Sequence, residues 1–148
     1  MFGFGKKKSK MLEMKNIRLN CSRMPKEDVI KEMGRMLVDS GYVDEPYIEA
    51  MQKRELTFPT NIGNGIALPH GVEEAKKEIK KSGIAVMVFP EGTNWGDEDV
   101  KLVIGIAGAG EEHLEILSII AEKMSDPEAV EQVVKGTAGD IYKTFTEK

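Results

Sequence analysis

The sequence predicts an α/β protein, a three-layer domain with helices on both faces of a central sheet. Three observations predict it. Two runs, Gly83 to Phe89 (GIAVMVF) and Val100 to Ala107 (VKLVIGIA), are too apolar and too rich in β-branched residues for strands that face water, so each must be covered on both sides. Segments with helical spacing stand before and after these runs. Gly and Pro punctuate the joints between elements, and no internal repeat or low-complexity linker interrupts the chain.

Taken in order, residues 1–12 read as a flexible basic tail carrying Lys6, Lys7, Lys8 and Lys10, and a single domain occupies 13–148. Ile17-Arg18-Leu19 makes a short strand. Pro25 opens a helix with Val29, Ile30, Met33 and Leu37 on one stripe, and Gly41 closes it. A second helix starts with Asp44 as N-cap and Pro46 in the first turn, buries Tyr47, Ile48 and Met51, and ends near Lys53, Arg54 and Glu55. The Glu/Ala/Lys-rich segment Val72 to Lys81 predicts a charged surface helix. Pro90-Glu91-Gly92 then predicts a turn after the first buried strand, and Trp95 to Asp99 an acidic loop. Glu111 to Met124 carries the strongest helical pattern. Its stripe of His113, Leu117, Ile120 and Met124 sets His113 on the inward side of the first turn. Asp126-Pro127 begins a further helix with Val130, Val133 and Val134, Gly136 stops it, and a last helix holds Ile141, Tyr142 and Phe145.

Composition narrows the function. The chain has 148 residues, 41% hydrophobic and 31% charged, enough for one soluble domain with a real core. A formal net charge of -4 argues against nucleic acid as a partner, since that role needs a basic face. A single cysteine, Cys21, permits no internal disulfide, and with two histidines a structural zinc site is not expected either, nor any other metal. The longest apolar runs fall short of the ~20 residues of a membrane helix, and the basic leader lacks the apolar core of a signal peptide. The expectation is a cytoplasmic protein with no direct membrane insertion. There is no GxxxxGK[ST], no GxSxG, and Gly105, Gly108 and Gly110 do not make a dinucleotide fingerprint, so no cofactor is expected.

What remains is the stretch Thr57 to Gly71, TFPTNIGNGIALPHG. Gly63 and Gly65 lead through Ile66-Ala67-Leu68 into Pro69, His70 and Gly71, a tight turn, a short buried strand and an abrupt exit with an imidazole at its end. Sites form at such strand ends in α/β proteins. A histidine there can be a general base, a ligand or a covalent nucleophile. Phosphoryl transfer needs a neutral imidazole and donors for the incoming oxygens: Arg54, the amides of Gly63 to Gly71 and the helix dipole near Val72 are the candidates. A hydrolase using His70 as base fits the same residues about as well. Taken alone, His113 reads first as a satisfied core histidine, and Arg54 equally as a charge favouring its helix dipole.

The run Asn61-Ile62-Gly63-Asn64-Gly65-Ile66-Ala67-Leu68-Pro69-His70-Gly71, after Arg54-Glu55, resembles the mannitol/fructose-type IIA domain of the bacterial phosphoenolpyruvate-dependent sugar phosphotransferase system. Pro90-Glu91-Gly92, Leu102 to Ala107 and Glu112-His113-Leu114 are most similar to its mannitol branch, while Asn64-Gly65 is closer to fructose-type members. The resemblance covers nearly all of the chain after the tail. It implies a sandwich on one mixed sheet and a phosphotransferase component. It also implies that His70 takes a phosphoryl group from phospho-HPr and passes it to a cysteine of the cognate IIB component, linked to a membrane IIC, with Arg54 and His113 flanking the site. A nitrogen-type or fructose-type relative with the same motif would instead act by phosphorylation-dependent partner binding.

Overall fold

The computed structural model describes residues 11–147. The lysines of the expected tail, at 6 to 8 and 10, lie outside the described residues. Met11 and Leu12 do not belong to a tail: the Met11 carbonyl accepts the Ile84 N–H at 2.8 Å, and Leu12 is buried. The packed domain thus includes residues that the sequence reading placed before its boundary at 13.

The sheet has the strands β1 (Ile17–Arg18), β2 (Asn61–Gly63), β3 (Ile66–Ala67), β4 (Gly83–Trp95) and β5 (Glu98–Ala107), in the order β1-β4-β5-β3-β2. The β4–β5 pair is an antiparallel hairpin, β1 runs parallel to β4, β3 parallel to β5, and β2 antiparallel to β3. The sheet is therefore mixed. Alternation along β4 and β5 divides the apolar side chains between two cores. Ile84, Val86, Val88, Leu102, Ile104 and Ile106 pack under α3 (Glu112–Lys123), α4 (Pro127–Lys135) and α5 (Ala138–Thr146). Ala85, Met87, Phe89, Val103 and Ala107 pack under α1 (Lys26–Asp39) and α2 (Pro46–Thr57). Three layers result, as the apolar runs require.

Local chemistry sets the helix ends. After α1, the Gly41 N–H donates to Val38 O at 2.9 Å and the Tyr42 N–H to Leu37 O at 3.0 Å, the paired bonds of a Schellman motif with Gly41 at a φ of 80°. The Asp126 carboxylate accepts the Ala129 N–H at 2.9 Å to start α4, and Thr137 with Asp140 forms a capping box for α5. Asp44 does not cap α2 with its side chain. Its carboxylate instead meets Lys80 Nζ at 3.2 Å.

Two expected elements differ. Pro90-Glu91-Gly92 is an irregularity inside β4: the register with β5 shifts between Val88 and Thr93, and pairing resumes to Trp95. A bulge tolerates a proline with no N–H to donate. The chain reverses at Gly96-Asp97, between the paired Trp95 and Glu98, with Gly96 at a φ of 84°. Trp95 is thereby a buried strand residue, and Glu98 and Asp99 belong to β5. The second difference is Glu73–Glu78, which is a 3-10 helix. Fixed points hold the segment at each end. The Gly71 N–H donates to the Tyr47 hydroxyl at 2.9 Å, while Asp44 N–H donates to Glu78 O at 2.9 Å and Lys80 N–H to Tyr42 O at 2.7 Å. A 3-10 helix rises ~2.0 Å per residue against ~1.5 Å for an α-helix, and so spans a fixed gap with fewer residues.

Candidate functional site

His70 stands just beyond β3, where the ladder to β5 returns as a single parallel bridge between His70 and Ile106. Leu68 N–H donates to Thr60 O at 3.0 Å, and Pro69, which has no N–H, still accepts from Ile106 N–H at 2.9 Å. The backbone is thus held on both sides of the imidazole. Nδ1 of His70 lies 2.7 Å from the Leu68 carbonyl. A carbonyl only accepts, so Nδ1 carries the proton, and Nε2 keeps its lone pair. Burial holds the His70 pKa below its ordinary 6.5, with Arg54 and His113 adding to that effect and the Leu68 carbonyl opposing it. The ring is neutral at pH 7.

Tyr47 braces this turn from α2. Its hydroxyl donates to Ile106 O at 2.9 Å and accepts the Gly71 N–H at 2.9 Å, bridging β5 to the residue after His70. The ring lies so close that a Cβ on residue 71 would sit 2.6 Å from Tyr47 Cε1. Glycine is required there.

His113 comes from the first turn of α3, its ring centroid 5.3 Å from that of His70 and tilted by 59°. That approach depends on Gly108, where a Cβ would fall 2.5 Å from His113 Cα. Ser82 pins the start of the helix: its hydroxyl donates to Glu112 Oε1 at 2.5 Å and accepts the Ala109 N–H at 2.9 Å. Burial lowers the His113 pKa, and the Lys76 ammonium lowers it further against the pull of Glu73.

Arg54 lines the same cleft from the last turn of α2, its Nη1 donating to Phe58 O at 2.5 Å. Beneath it Glu55 is buried, at 5% exposed. Its carboxylate accepts from Thr60 N–H at 2.9 Å, Thr60 Oγ1 at 2.7 Å, Trp95 Nε1 at 2.9 Å and Lys26 Nζ at 3.3 Å. Four donors satisfy the buried charge and fix the chain between α2 and β2.

The cleft enclosed by Tyr47, Arg54, His70, Lys76, Gly108 and His113 has a volume of about 210 Å³. At ~30 Å³ per water, this is room for roughly seven waters or a phosphoryl group with some of its hydration. The structure places His70, His113 and Arg54 in one cleft. It does not place the whole Gly-rich loop there. Asn64 and Gly65 line a separate cleft of about 770 Å³ at the opposite end of β3, and the Gly71 amide is taken by Tyr47. The dipole expected from an α-helix at Val72 is replaced by a six-residue 3-10 helix. Pro69 is buried, and the large exposed apolar residues among the described residues are Met14, Leu56, Phe58, Ile62 and Leu114, of which Leu56 and Phe58 lie close to Arg54 in sequence and Leu114 follows His113. Sequence reasoning missed Lys76, the bracing hydroxyl of Tyr47 and the anchor Glu55. A buried tyrosine needs a partner for its hydroxyl, and that is the one signal that pointed to any of them.

Fold and cleft define a class: an α/β sandwich on one mixed sheet, with two histidines and an arginine sharing a cleft at the sheet's end. The chain matches the family model of the phosphoenolpyruvate-dependent sugar phosphotransferase system, EIIA 2, over residues 10–148, and it belongs to that family. It is 45% identical over 139 residues to the mannitol-specific phosphotransferase enzyme IIA component of Bacillus subtilis (strain 168), covering 93% of this chain and 97% of that protein. The corresponding protein of Staphylococcus aureus (strain N315) is 42% identical over 140 residues, covering 94% and 97%. Among solved structures, the crystal structure of IIA mannitol from Escherichia coli superposes with a TM-score of 0.83 at 33% identity, covering 90% of this chain and 97% of that one. The Escherichia coli complex of enzyme IIA and phosphorylated enzyme IIB of the mannitol system gives 0.85 at 31% identity, covering 93% and 99%. Nitrogen regulatory protein IIA-Ntr from Neisseria meningitidis shares the fold, with a TM-score of 0.75 at 23% identity.

Proposed function

We propose that the protein is the phosphocarrier of a mannitol phosphotransferase system, accepting a phosphoryl group from phospho-HPr on Nε2 of His70 and delivering it to the cysteine of the cognate IIB component. One observation carries the assignment to His70: Nδ1 lies 2.7 Å from the Leu68 carbonyl and so donates to it, leaving Nε2 as the nucleophile of a ring that lines the cleft. The names of the relatives and the IIA–IIB complex support the sugar and the acceptor.

In the charging step the N–P bond of the donor phosphohistidine breaks as the Nε2–P bond of His70 forms, and no proton has to leave His70. Positive charge that develops on the ring is stabilised by the Leu68 carbonyl through Nδ1–H. Arg54, released from Phe58 O, neutralises the phosphoryl oxygens, and His113 lies beside them as a neutral donor. In the discharging step the IIB thiolate attacks phosphorus, the Nε2–P bond breaks, and the ring returns to its starting tautomer. Neutrality matters at each end, because a protonated Nε2 has no lone pair to give.

Among the described residues no helix is long and apolar enough to cross a membrane. This supports a cytoplasmic carrier that reaches the membrane IIC only through IIB. Docking of HPr and IIB is assigned to the rim that carries Phe58 and Leu114, as a small transient interface.

Incubation with phosphoenolpyruvate, enzyme I and HPr will label the protein with an acid-labile phosphate, and mannitol IIB will discharge it. Equal labelling of His70→Ala defeats the assignment. Labelled protein that no IIB can discharge would favour the regulatory reading of a nitrogen-type relative.

A further inference from the structure

Lys76 lies on the cleft wall with both histidines, yet nothing in the mechanism above uses it. Its partner is Glu73, at 3.0 Å, which lines the same cleft. The 3-10 geometry explains the pairing, since side chains at i and i+3 eclipse one another in such a helix. Both groups therefore point the same way. The pair is exposed, 44% for the Lys76 side chain and 81% for Glu73, so water competes for each partner and the contact is easily exchanged.

Charge in the cleft gives the exchange a direction. Leaving aside the ring that carries the phosphate, and with His113 neutral, Arg54 and Lys76 against Glu73 leave the cleft one net positive charge. A phosphoryl group brings about -1.5 to -2. Balance is reached only when the carboxylate withdraws and both cations turn to the phosphate. Arg54 donates to a neutral carbonyl, that of Phe58, instead of a carboxylate.

We propose that Lys76 is a phosphate-binding residue of this site, paired with Glu73 in the uncharged protein and moving from that carboxylate to the phosphoryl oxygens when His70 is charged. The inference rests on His70 as the acceptor. Glu73 then keeps the empty cleft from holding free anions, and its release accompanies charging.

The test measures the equilibrium fraction of phosphorylated protein against phospho-HPr, together with the 31P NMR titration of the phosphohistidine. Lys76→Gln is expected to lower the equilibrium constant for charging roughly ten-fold and to move the phosphoryl ionisation to higher pH. Lys76→Arg restores both. Glu73→Gln raises the charging constant a few-fold. A merely structural role for Lys76 would leave the phosphoryl ionisation where it is. Identical charging and identical 31P titration in wild type, Lys76→Gln and Glu73→Gln overturn the proposal while leaving His70 as carrier. Should His70→Ala label as well as wild type, the carrier assignment itself fails, and the two failures are thereby distinguished.

Discussion

Removing one oxygen from Tyr47 tests whether the turn at His70 is held the way the structure indicates. In Tyr47→Phe the ring stays packed against Gly71, but the hydroxyl that donates to Ile106 O and accepts the Gly71 N–H, each at 2.9 Å, is gone. Each buried bond contributes ~1 kcal/mol net, so the loss is about 2 kcal/mol. For a chain of this size that lowers Tm by roughly 4–8 °C. Urea unfolding should show a lower midpoint with unchanged slope, because no apolar surface is newly exposed. The local effect is separate: the Gly71 amide, freed from its acceptor, exchanges with solvent faster than its neighbours, and phosphoryl acceptance slows about ten-fold as His70 loses its fixed aim. Thr137→Ala, a cap lost far from the cleft, costs ~1 kcal/mol without slowing acceptance. If Tyr47→Phe changes stability by less than ~0.5 kcal/mol, or destabilises with the Gly71 amide as protected as before, the bracing role is refuted.

Gly108→Ala places a Cβ 2.5 Å from His113 Cα, so α3 must shift from the end of β5; crystallography should show the two imidazoles moved apart from 5.3 Å, with charging slowed. Glu55→Gln leaves Lys26 without its carboxylate and weakens the Trp95 and Thr60 bonds; a stability lowered by roughly 1–3 kcal/mol in urea unfolding and altered Trp95 fluorescence are expected. The pH dependence has a defined sign. Both imidazoles have folded pKa values below the ordinary 6.5, chiefly through burial, so the unfolded chain binds more protons in the window beneath 6.5. Stability is complete above pH 6.5 and declines as pH falls from there through the depressed values. Charging rate follows the neutral fraction of His70, flat at neutral pH and falling only below 6.5. Unfolding and stopped-flow labelling across pH 5–8 will check both curves.

Much of the fold was legible because the decisive forces were local or periodic. The apolar runs at 83 and 100 could only be buried strands, Gly41 could only be a left-handed cap, and the His113 stripe oriented α3 correctly. Where the reading failed, the deciding partner was distant. Pro90-Glu91-Gly92 has the same composition as a turn and as a bulge, and only the resumed pairing of Thr93 with Val100 separates them. The 73–78 segment has α-helical composition, but tethers on Tyr47, Asp44 and Tyr42 stretch it into a 3-10 helix. At the site, the Gly/Pro setting of His70 announced itself, whereas Lys76 looked like any surface lysine until the shape of its helix aimed it inward. The glycine loop misled for a related reason. Residues 64 and 70 stand at opposite ends of a strand, and neighbours in sequence are not neighbours in the cleft.

The inner strand that leads to His70 has consequences for biosynthesis. β3 has only two residues in the ladder, it is inserted beside β5, and the bridge that seats the imidazole is to Ile106. On the ribosome, adding ~5–20 residues per second, His70 is made seconds before the strand that positions it. A nascent chain halted before β5 has emerged contains every atom of His70 but lacks the Ile106 bridge, the carbonyl to which Tyr47 is anchored and the second imidazole, so the site is completed only after the last strand is made.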